Sequence, residues 1–583
     1  MTMTHTDPKE QEIFRLRKEI ERLKKAVKKQ KYGLVWMDVP EAFEDDVENK
    51  LPILREVPEL AISNDDGKPT HILIEGDNYH ALTCLNYTHK GKIDVIYIDP
   101  PYNTGSDGFR YKDKRVLDKF PDGTEVPKDN PFRHSYWLSF MRKRLELARA
   151  ILSNKGIIFI SIDDNELSQA KLLCDEIFLE NNLVGIFTWI RKKKGSHLSN
   201  EIRKMTEYVL AYKKNDTLEL FGEEAYKDKW QPLLKRTNSQ KTLSLVHGSV
   251  ETSLPNGTYR KGLYGNGGTQ VKLENDIHIK DGFVVDDFQI TGRYVWTQEK
   301  LSDELAQGTR ISINSKGFGF NVLRWNQSEK TKRPSTLIND LVGVGTNEDA
   351  NEEIKKIFNL DGDNEIFKYA KPVNLIKYLV LMATKTNKDT KVLDFFAGSG
   401  TTAHAVMKLN SEDDGKRQCI LVTNNEGKIM DEVCYPRIQK VIEGYGEQAG
   451  LGGSVKYYRT DFVGKNNILS ADDQDKIDLA HHASELLAIA ENTLDQVEKN
   501  ASFQVFENKE RYAAVYFQET FDQFEDFIEK IASLEKPVSV YVFSWEKEVF
   551  INEFEGSKSI TIKTIPQPIL EIYKQIYNLS VNL

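Results

Sequence analysis

A run of mostly apolar residues, Ile93-Asp94-Val95-Ile96-Tyr97-Ile98, is stopped by Asp99-Pro100-Pro101-Tyr102. The run has the length and β-branched content of a buried strand. Two consecutive prolines offer no N–H to a neighbouring strand, so the ladder ends there. Asn103-Thr104-Gly105 then supplies a turn. An acid, a rigid kink and an aromatic face therefore meet at the carboxyl end of a strand, where open α/β sheets hold their ligands. The plainer reading is a strand cap in which Tyr102 is simply packed.

The chemistry that suits this group is attack by an exocyclic amine of a base. Such a nitrogen is a poor nucleophile because its lone pair is delocalised into the ring. An acceptor on each N–H draws it toward tetrahedral geometry. The Asp99 carboxylate can be one acceptor and the Pro100 carbonyl the other, with Pro101 stiffening the turn. Tyr102 offers a face for stacking, worth roughly 1–3 kcal/mol per base. A base inside a duplex would have to be flipped out to reach such a pocket.

A chain of 583 residues has room for several domains. Its net charge of −9 confines any nucleic-acid site to a local basic patch. Cys84, Cys174, Cys419 and Cys434 are scattered, with no Cys-x-x-Cys pair, so neither a metal site nor a disulfide framework is expected. No signal peptide and no long apolar span is read, so a cytoplasmic protein without a membrane partner is expected.

At the amino end, Ile13, Leu16, Ile20, Leu23 and Val27 recur at spacings of three and four. They mark a short helix, for docking or dimerisation or lying on its own domain. Residues 71–74 read as a strand, followed by Gly76 and a helix from about Asn78. Asp77 stands at that turn as a ligand for an amine or as a helix cap. Residues 106–135 read as loop, 136–152 as helix and 157–162 as strand, with Asp163-Asp164-Asn165-Glu166 as caps of the next helix. Arg191-Lys192-Lys193-Lys194 could hold phosphates or form a solvated loop, and 207–212 is a further strand.

Residues 215–365 lose helical periodicity, with short strands expected at 283–290 and 318–325. Basic and aromatic residues interleave there: Arg260 with Tyr264, Arg293-Tyr294 with Trp296, and Arg324-Trp325. With Asn103, Arg191, Lys192 and Lys193, the residues Arg260, Tyr264, Arg293 and Arg324 are the candidate nucleic-acid contacts.

An apolar helix over 373–384 precedes the second motif. Lys391-Val392-Leu393 is a short strand ending at Asp394, followed by Phe395-Phe396-Ala397-Gly398-Ser399-Gly400 and a helix opened by Thr401. Strand, glycine loop and helix together lift a Gly-x-Gly above coincidence. The glycines admit a ligand close to the backbone, and the helix amino end favours a carboxylate. With no Gly-Lys-Thr/Ser and no third glycine at dinucleotide spacing, a phosphate cradle is not indicated. A ligand carrying one carboxylate and one ammonium, such as the methionyl tail of S-adenosylmethionine, fits; an ordinary tight turn is the alternative. After the strand at 418–423, Glu426 is the candidate clamp for ribose hydroxyls. Beyond residue 460, a helix over 477–497, strands at 513–517 and 538–543 and a helix near 518–534 outline a small α/β unit.

Asp99-Pro100-Pro101-Tyr102, followed far downstream by Asp394-Phe395-Phe396-Ala397-Gly398-Ser399-Gly400, resembles the beta class of DNA amino-methyltransferases. The chain resembles most the modification subunits of type III restriction–modification systems. The resemblance implies a Rossmann-like α/β methyltransferase fold over 36–214 and 366–458, an inserted target-recognition domain over 215–365, an amino-terminal docking segment over 1–35 and an assembly domain over 459–583. It implies that Asp99, Pro100, Pro101 and Tyr102 hold an adenine amine. It also implies an S-adenosylmethionine site lined by Asp77, Lys371, Pro372, Asp394, Phe395, Phe396, Ala397, Gly398, Ser399, Gly400 and Thr401. Thr423 stands where the usual ribose acid would be, which leaves Glu426 as the clamp. The partners implied are double-stranded DNA, a second copy in a homodimer and a helicase–nuclease restriction subunit. A stand-alone methyltransferase, or a recognition scaffold for a nuclease partner, is the alternative.

Overall fold

A computed structural model describes residues 51–104, 131–193, 202–215, 218–222, 230–313, 315–325, 332–339, 342–360, 366–367, 369–463, 473–500, 502–517, 523–543 and 559–565, with Trp36, Glu125, Gly362 and Phe554. The expected amino-terminal helix and most of the 106–135 loop lie outside the described residues. The chain divides into two compact units, one of Met1–Glu219 with Ser335–Leu583, the other of Leu220–Pro334.

The first unit is built on a ten-stranded sheet. Its strands are β1 (Leu51–Glu56), β2 (Thr70–Glu75), β3 (Ile93–Ile98), β4 (Leu152–Ile162), β5 (Leu183–Ile190), β6 (Thr206–Lys213), β7 (Leu337–Ile338), β8 (Lys391–Asp394), β9 (Gln418–Thr423) and β10 (Ser454–Val463). They lie in the order β1-β10-β2-β9-β8-β3-β4-β6-β5-β7. From β10 to β4 all neighbours are parallel, while β6 runs antiparallel to β4 and β5. Parallel strands covered on both faces read as unbroken apolar runs, and every residue of β9 is buried accordingly.

Four helices matter for the site: α1 (Asn78–Thr88), α2 (Ser135–Ile151), α3 (Val373–Thr384) and α4 (Thr401–Asp413). Helix α1 packs on α2, and α3 on α4. β3 continues through α2 into β4, on one side of the sheet order; β8 continues through α4 into β9, on the other. Right-handed crossovers then carry α2 and α4 to opposite faces. β3 and β8 are themselves neighbours, with Val95 opposite Val392 and Ile96 opposite Leu393. The crevice between their carboxyl ends is therefore the topological switch point.

The carboxy-terminal part of this unit carries a five-stranded sheet, Asp495–Lys499, Phe503–Glu507, Tyr512–Phe517, Val538–Phe543 and Ile560–Lys563. The helix expected through residue 497 instead ends at Glu491. Asn492 adopts φ 58° there, a left-handed stop that asparagine tolerates, and the chain turns into a strand. The second unit folds as a seven-stranded and a four-stranded sheet, including Phe283–Val284, Phe288–Gly292 and Phe320–Leu323. Residues 335–365, expected within the insert, belong to the first unit, where β7 pairs with β5.

Between α3, α4 and β9 lies a fully buried guanidinium, Arg417. It donates to Thr384 Oγ1 at 2.8 Å and grips both Asp413 oxygens at 2.9 Å. Arg417→Ala leaves these acceptors without that donor, so unfolding in urea should show a loss of about 3–5 kcal/mol. An unchanged midpoint would mean that this pair contributes nothing net.

Candidate active site

The crevice between β3 and β8 opens into a cavity at the carboxyl ends of the two strands. Two stretches far apart in sequence line it. Asp99 and Pro101 come from the end of β3, and Asp394 through Ser399 from the end of β8 and its glycine loop. Asp77, Lys371, Thr401 and Glu426 also line it. Pro100, Tyr102, Pro372 and Gly400 do not, and each has another place.

Lys371 holds the first of these stretches. Its Nζ donates to Asp99 Oδ1 at 2.9 Å and Oδ2 at 2.8 Å, and stands 5.0 Å from the centre of the Tyr102 ring. The Tyr102 hydroxyl donates to Asp99 Oδ1 at 2.6 Å. Burial raises the Asp99 carboxyl, an effect partly offset by Lys371 and Tyr102. Burial also draws the Lys371 ammonium down, yet Asp99 and Glu207 outweigh it, and the group stays protonated. Burial and the Asp99 charge hold the Tyr102 hydroxyl well above its ordinary pKa, so it remains a donor. A carboxylate offers about four lone-pair directions. Three are engaged here, which leaves one on Oδ2. The Pro100 carbonyl accepts no hydrogen bond from the described residues, whereas Pro101 O takes the Trp137 indole N–H at 2.7 Å.

The network extends to a residue that strand periodicity concealed. Glu207, inside β6, is buried; its Oε2 lies 3.5 Å from Lys371 Nζ and its Oε1 accepts from Arg191 at 2.7 Å. The signal in the sequence was an acid within an otherwise apolar strand. Arg191 thus serves Glu207, and Lys193 pairs with Asp349 at 2.8 Å, while Lys192 is half-buried. Of the described residues of the cation run, Arg191 and Lys193 have partners within the fold. Asn103 has its side-chain amide on Glu166 at 2.7 Å.

The glycine loop is locally determined. Asp394 Oδ1 accepts the Phe396 N–H at 3.0 Å and its Oδ2 the Thr402 hydroxyl at 2.5 Å, folding the loop over the carboxyl. Burial pushes Asp394 up to about 7, despite these bonds. Gly398 has φ 51° and Gly400 φ 76°, both left-handed. A Cβ on Gly398 would meet only Phe396 O at 3.8 Å and the Phe367 ring at 3.9 Å, leaving room for a ligand against the backbone. A Cβ on Gly400 would instead press on Cys434 Sγ at 3.2 Å, so that glycine serves packing. Pro372 is the buried cap residue of α3.

Asp77 does both things expected of it. Its Oδ1 caps α1 by accepting from Tyr79 N at 2.7 Å, and it faces the cavity. Beside it, Asn78 donates to Phe395 O at 2.9 Å and accepts from the buried Arg144. Asn78, Tyr97, Phe140, Phe367 and Tyr369 line the cavity without having been singled out in the sequence. They are single side chains on elements whose pattern reports only the core.

In the second unit, Tyr294 and Trp296 are buried, while Arg293 between the same strand ends is exposed. The apparent basic–aromatic mixture there is in-and-out alternation, and its aromatic members belong to the core. Tyr264 packs on Phe318, their rings 4.4 Å apart, and its hydroxyl bonds Arg260 O. Arg260 is exposed, and Arg324 lies 5.1 Å over the Trp296 ring.

A doubly wound α/β sheet with an acid–proline–aromatic turn and a glycine loop on opposite sides of its switch point defines a split-motif ligand-binding enzyme fold. The chain belongs to the DNA methylase family, whose model matches residues 93–433. It is 35% identical over 408 residues to the StyLTI Mod subunit of a type III restriction–modification enzyme from Salmonella typhimurium strain LT2, covering 64% of this chain and 58% of that one. It is 34% identical over 364 residues to the type II methyltransferase M.KpnI of Klebsiella pneumoniae, covering 62% of this chain and 82% of that one. The chain thus spans little more than half of the Salmonella relative and most of the Klebsiella one. Among solved structures, the cytosine-N4-specific PvuII DNA methyltransferase matches at 12% identity and TM-score 0.30, over 66% of this chain and 97% of that one.

Proposed function

We propose that this chain transfers the methyl group of S-adenosylmethionine to adenine N6 at a short DNA sequence, as the modification and sequence-reading subunit of a type III restriction–modification complex. The observation that carries the reading is the shared cavity, with the Asp99 acceptor group on one wall and the Asp394–Ser399 loop on the other. Similarity to the Salmonella Mod subunit supports the assignment to a restriction complex; a homodimer joined to a helicase–nuclease subunit on double-stranded DNA is part of the same proposal.

The residues fit the cofactor. Asp77, Asp394 and Glu426 offer carboxylates for cationic and hydroxyl groups, Phe396 and Phe367 offer apolar faces, and Gly398 lets a ligand lie on the backbone. When bound, S-adenosylmethionine supplies an activated methyl on a sulfonium. Asp99 Oδ2 has a lone pair left for one N–H of the target amine, and the Pro100 carbonyl, which accepts nothing from the described residues, is the acceptor proposed for the other. The two acceptors orient the nitrogen and stabilise its developing positive charge. Tyr102 supports the flipped base, with its hydroxyl fixed by Asp99. Lys371, positively charged beside Asp99, draws that carboxyl back down against the effect of burial and so favours its acceptor form.

Two measurements test this reading. Tritiated methyl transfer to DNA should fall by at least about 100-fold in Asp99→Ala, as for loss of an electrostatic stabiliser. Tyr102→Ala should lose about 1–3 kcal/mol of base stacking, on the order of 10- to 100-fold. Mass spectrometry of the product should find N6-methyladenine; N4-methylcytosine would overturn the choice of base. The second test concerns Asp394. Its carboxyl, raised to about 7, holds a proton below that pH and is ionised above it. A cationic ligand favours the ionised form, so S-adenosylmethionine affinity should rise roughly fivefold from about pH 6 to 7.5. Calorimetry should find this slope absent in Asp394→Asn, and an unchanged slope would remove Asp394 from the binding site.

A further inference from the structure

β4 runs into four polar residues, Asp163-Asp164-Asn165-Glu166, that read as helix caps. Glu166 does something else. It precedes the helix Leu167–Cys174 without making a side-chain cap bond, and it is fully buried. Its Oε1 accepts from Asn103 Nδ2 at 2.7 Å and from His134 Nδ1 at 2.7 Å. Its Oε2 is enclosed and has no hydrogen-bond partner among the described residues. A carboxylate that satisfies one oxygen twice and leaves the other bare is costly in a fold. Its two partners explain why it is there.

Asn103 follows Tyr102 directly and holds φ 59°, a left-handed conformation open to asparagine when something fixes it. His134 ends the turn Pro131–His134 that leads into α2, and Trp137 of α2 bonds Pro101 O at 2.7 Å. Glu166 thereby ties the residue after Tyr102 to the element that grips the residue before it. The bond to Glu166 raises the His134 imidazole above its ordinary value, against burial and nearby Arg133.

We infer that Glu166 is a positioning residue for the target base: through Asn103 it sets the plane of the Tyr102 ring, while His134 and Trp137 hold the other side of the turn. The inference rests on the reading of Tyr102 as the surface on which the base stacks.

The test is a reciprocal exchange. Asn103→Asp faces two carboxylates toward each other; Asn103→Asp with Glu166→Gln restores a bond with donor and acceptor reversed. In steady-state methyl transfer to unmethylated DNA, Asn103→Asp, Asn103→Ala and Glu166→Ala should each lower kcat by about 10- to 100-fold, the scale for a misplaced reacting group. KM for S-adenosylmethionine should stay within about twofold, and the double variant should recover most of the kcat lost in Asn103→Asp. Native rates in the single variants, a loss confined to KM or to thermal stability, or a double variant no better than Asn103→Asp would each overturn the inference. If Glu166→Ala fails to fold, the two Asn103 variants and the exchange still decide it. Wild-type protein that transfers no methyl group would instead refute the functional reading. With an active wild type and an inactive Asp99→Ala, any such failure falls on the role of Glu166 alone.

Discussion

Neighbouring parallel strands that send their chains to opposite faces of a sheet leave a gap at their carboxyl ends that neither following helix can fill. β3 and β8 are such a pair, with Val95 beside Val392. Each strand is short and buried, and each ends in residues that cannot extend the ladder: two prolines after Asp99, and a loop folded onto its own acid after Asp394. The cavity follows from this adjacency, and so does the meeting of two motifs that lie far apart in the chain. Asp394 sits at the strand end and is buried enough to hold its proton to about pH 7. The same strand geometry that creates the cavity therefore also tunes one of its acids.

Within that gap the charges alternate. Arg191 pairs with Glu207, Glu207 approaches Lys371, and Lys371 grips Asp99. These residues come from the end of β5, from β6, from the segment before α3 and from the end of β3. Burial raises the Asp99 carboxyl, and the cation beside it partly reverses that effect. Tyr102, protonated because it is buried beside these acids, completes the arrangement as a donor to Asp99. A turn of four residues is thus supported by groups from three other elements, and the residues at its two ends are held as well, Asp99 by Lys371 and Asn103 by Glu166.

The elements most legible in the sequence are those whose local chemistry is self-contained. β3, β9 and α3 fall where apolar runs and breakers placed them, and Asp77 caps α1 as its position beside Gly76 suggested. Where expectation and structure part, a contact distant in sequence or a single backbone angle made the decision. The periodicity that ran on to residue 497 did not contain the left-handed stop at Asn492. The basic and aromatic residues around 293–296 looked like one surface, yet alternation along an extended chain buries Tyr294 and Trp296 and exposes Arg293. Arg191 and Lys193 looked uncommitted until Glu207 and Asp349 were brought beside them. Glu166 looked like a cap because its neighbours in sequence are polar; its real partners are 63 and 32 residues away.

By itself the sequence determined the strands, the breakers that end them and the two motifs that frame the cavity, because those depend on backbone covalent geometry and on short-range apolar patterning. Only the tertiary structure decided which strand ends are neighbours, which charges neutralise one another and which glycine faces the cavity rather than a sulfur atom. Those outcomes depend on distances between residues hundreds of positions apart, and burial makes the energy of a charge depend on its partner in space rather than on its neighbours in the chain.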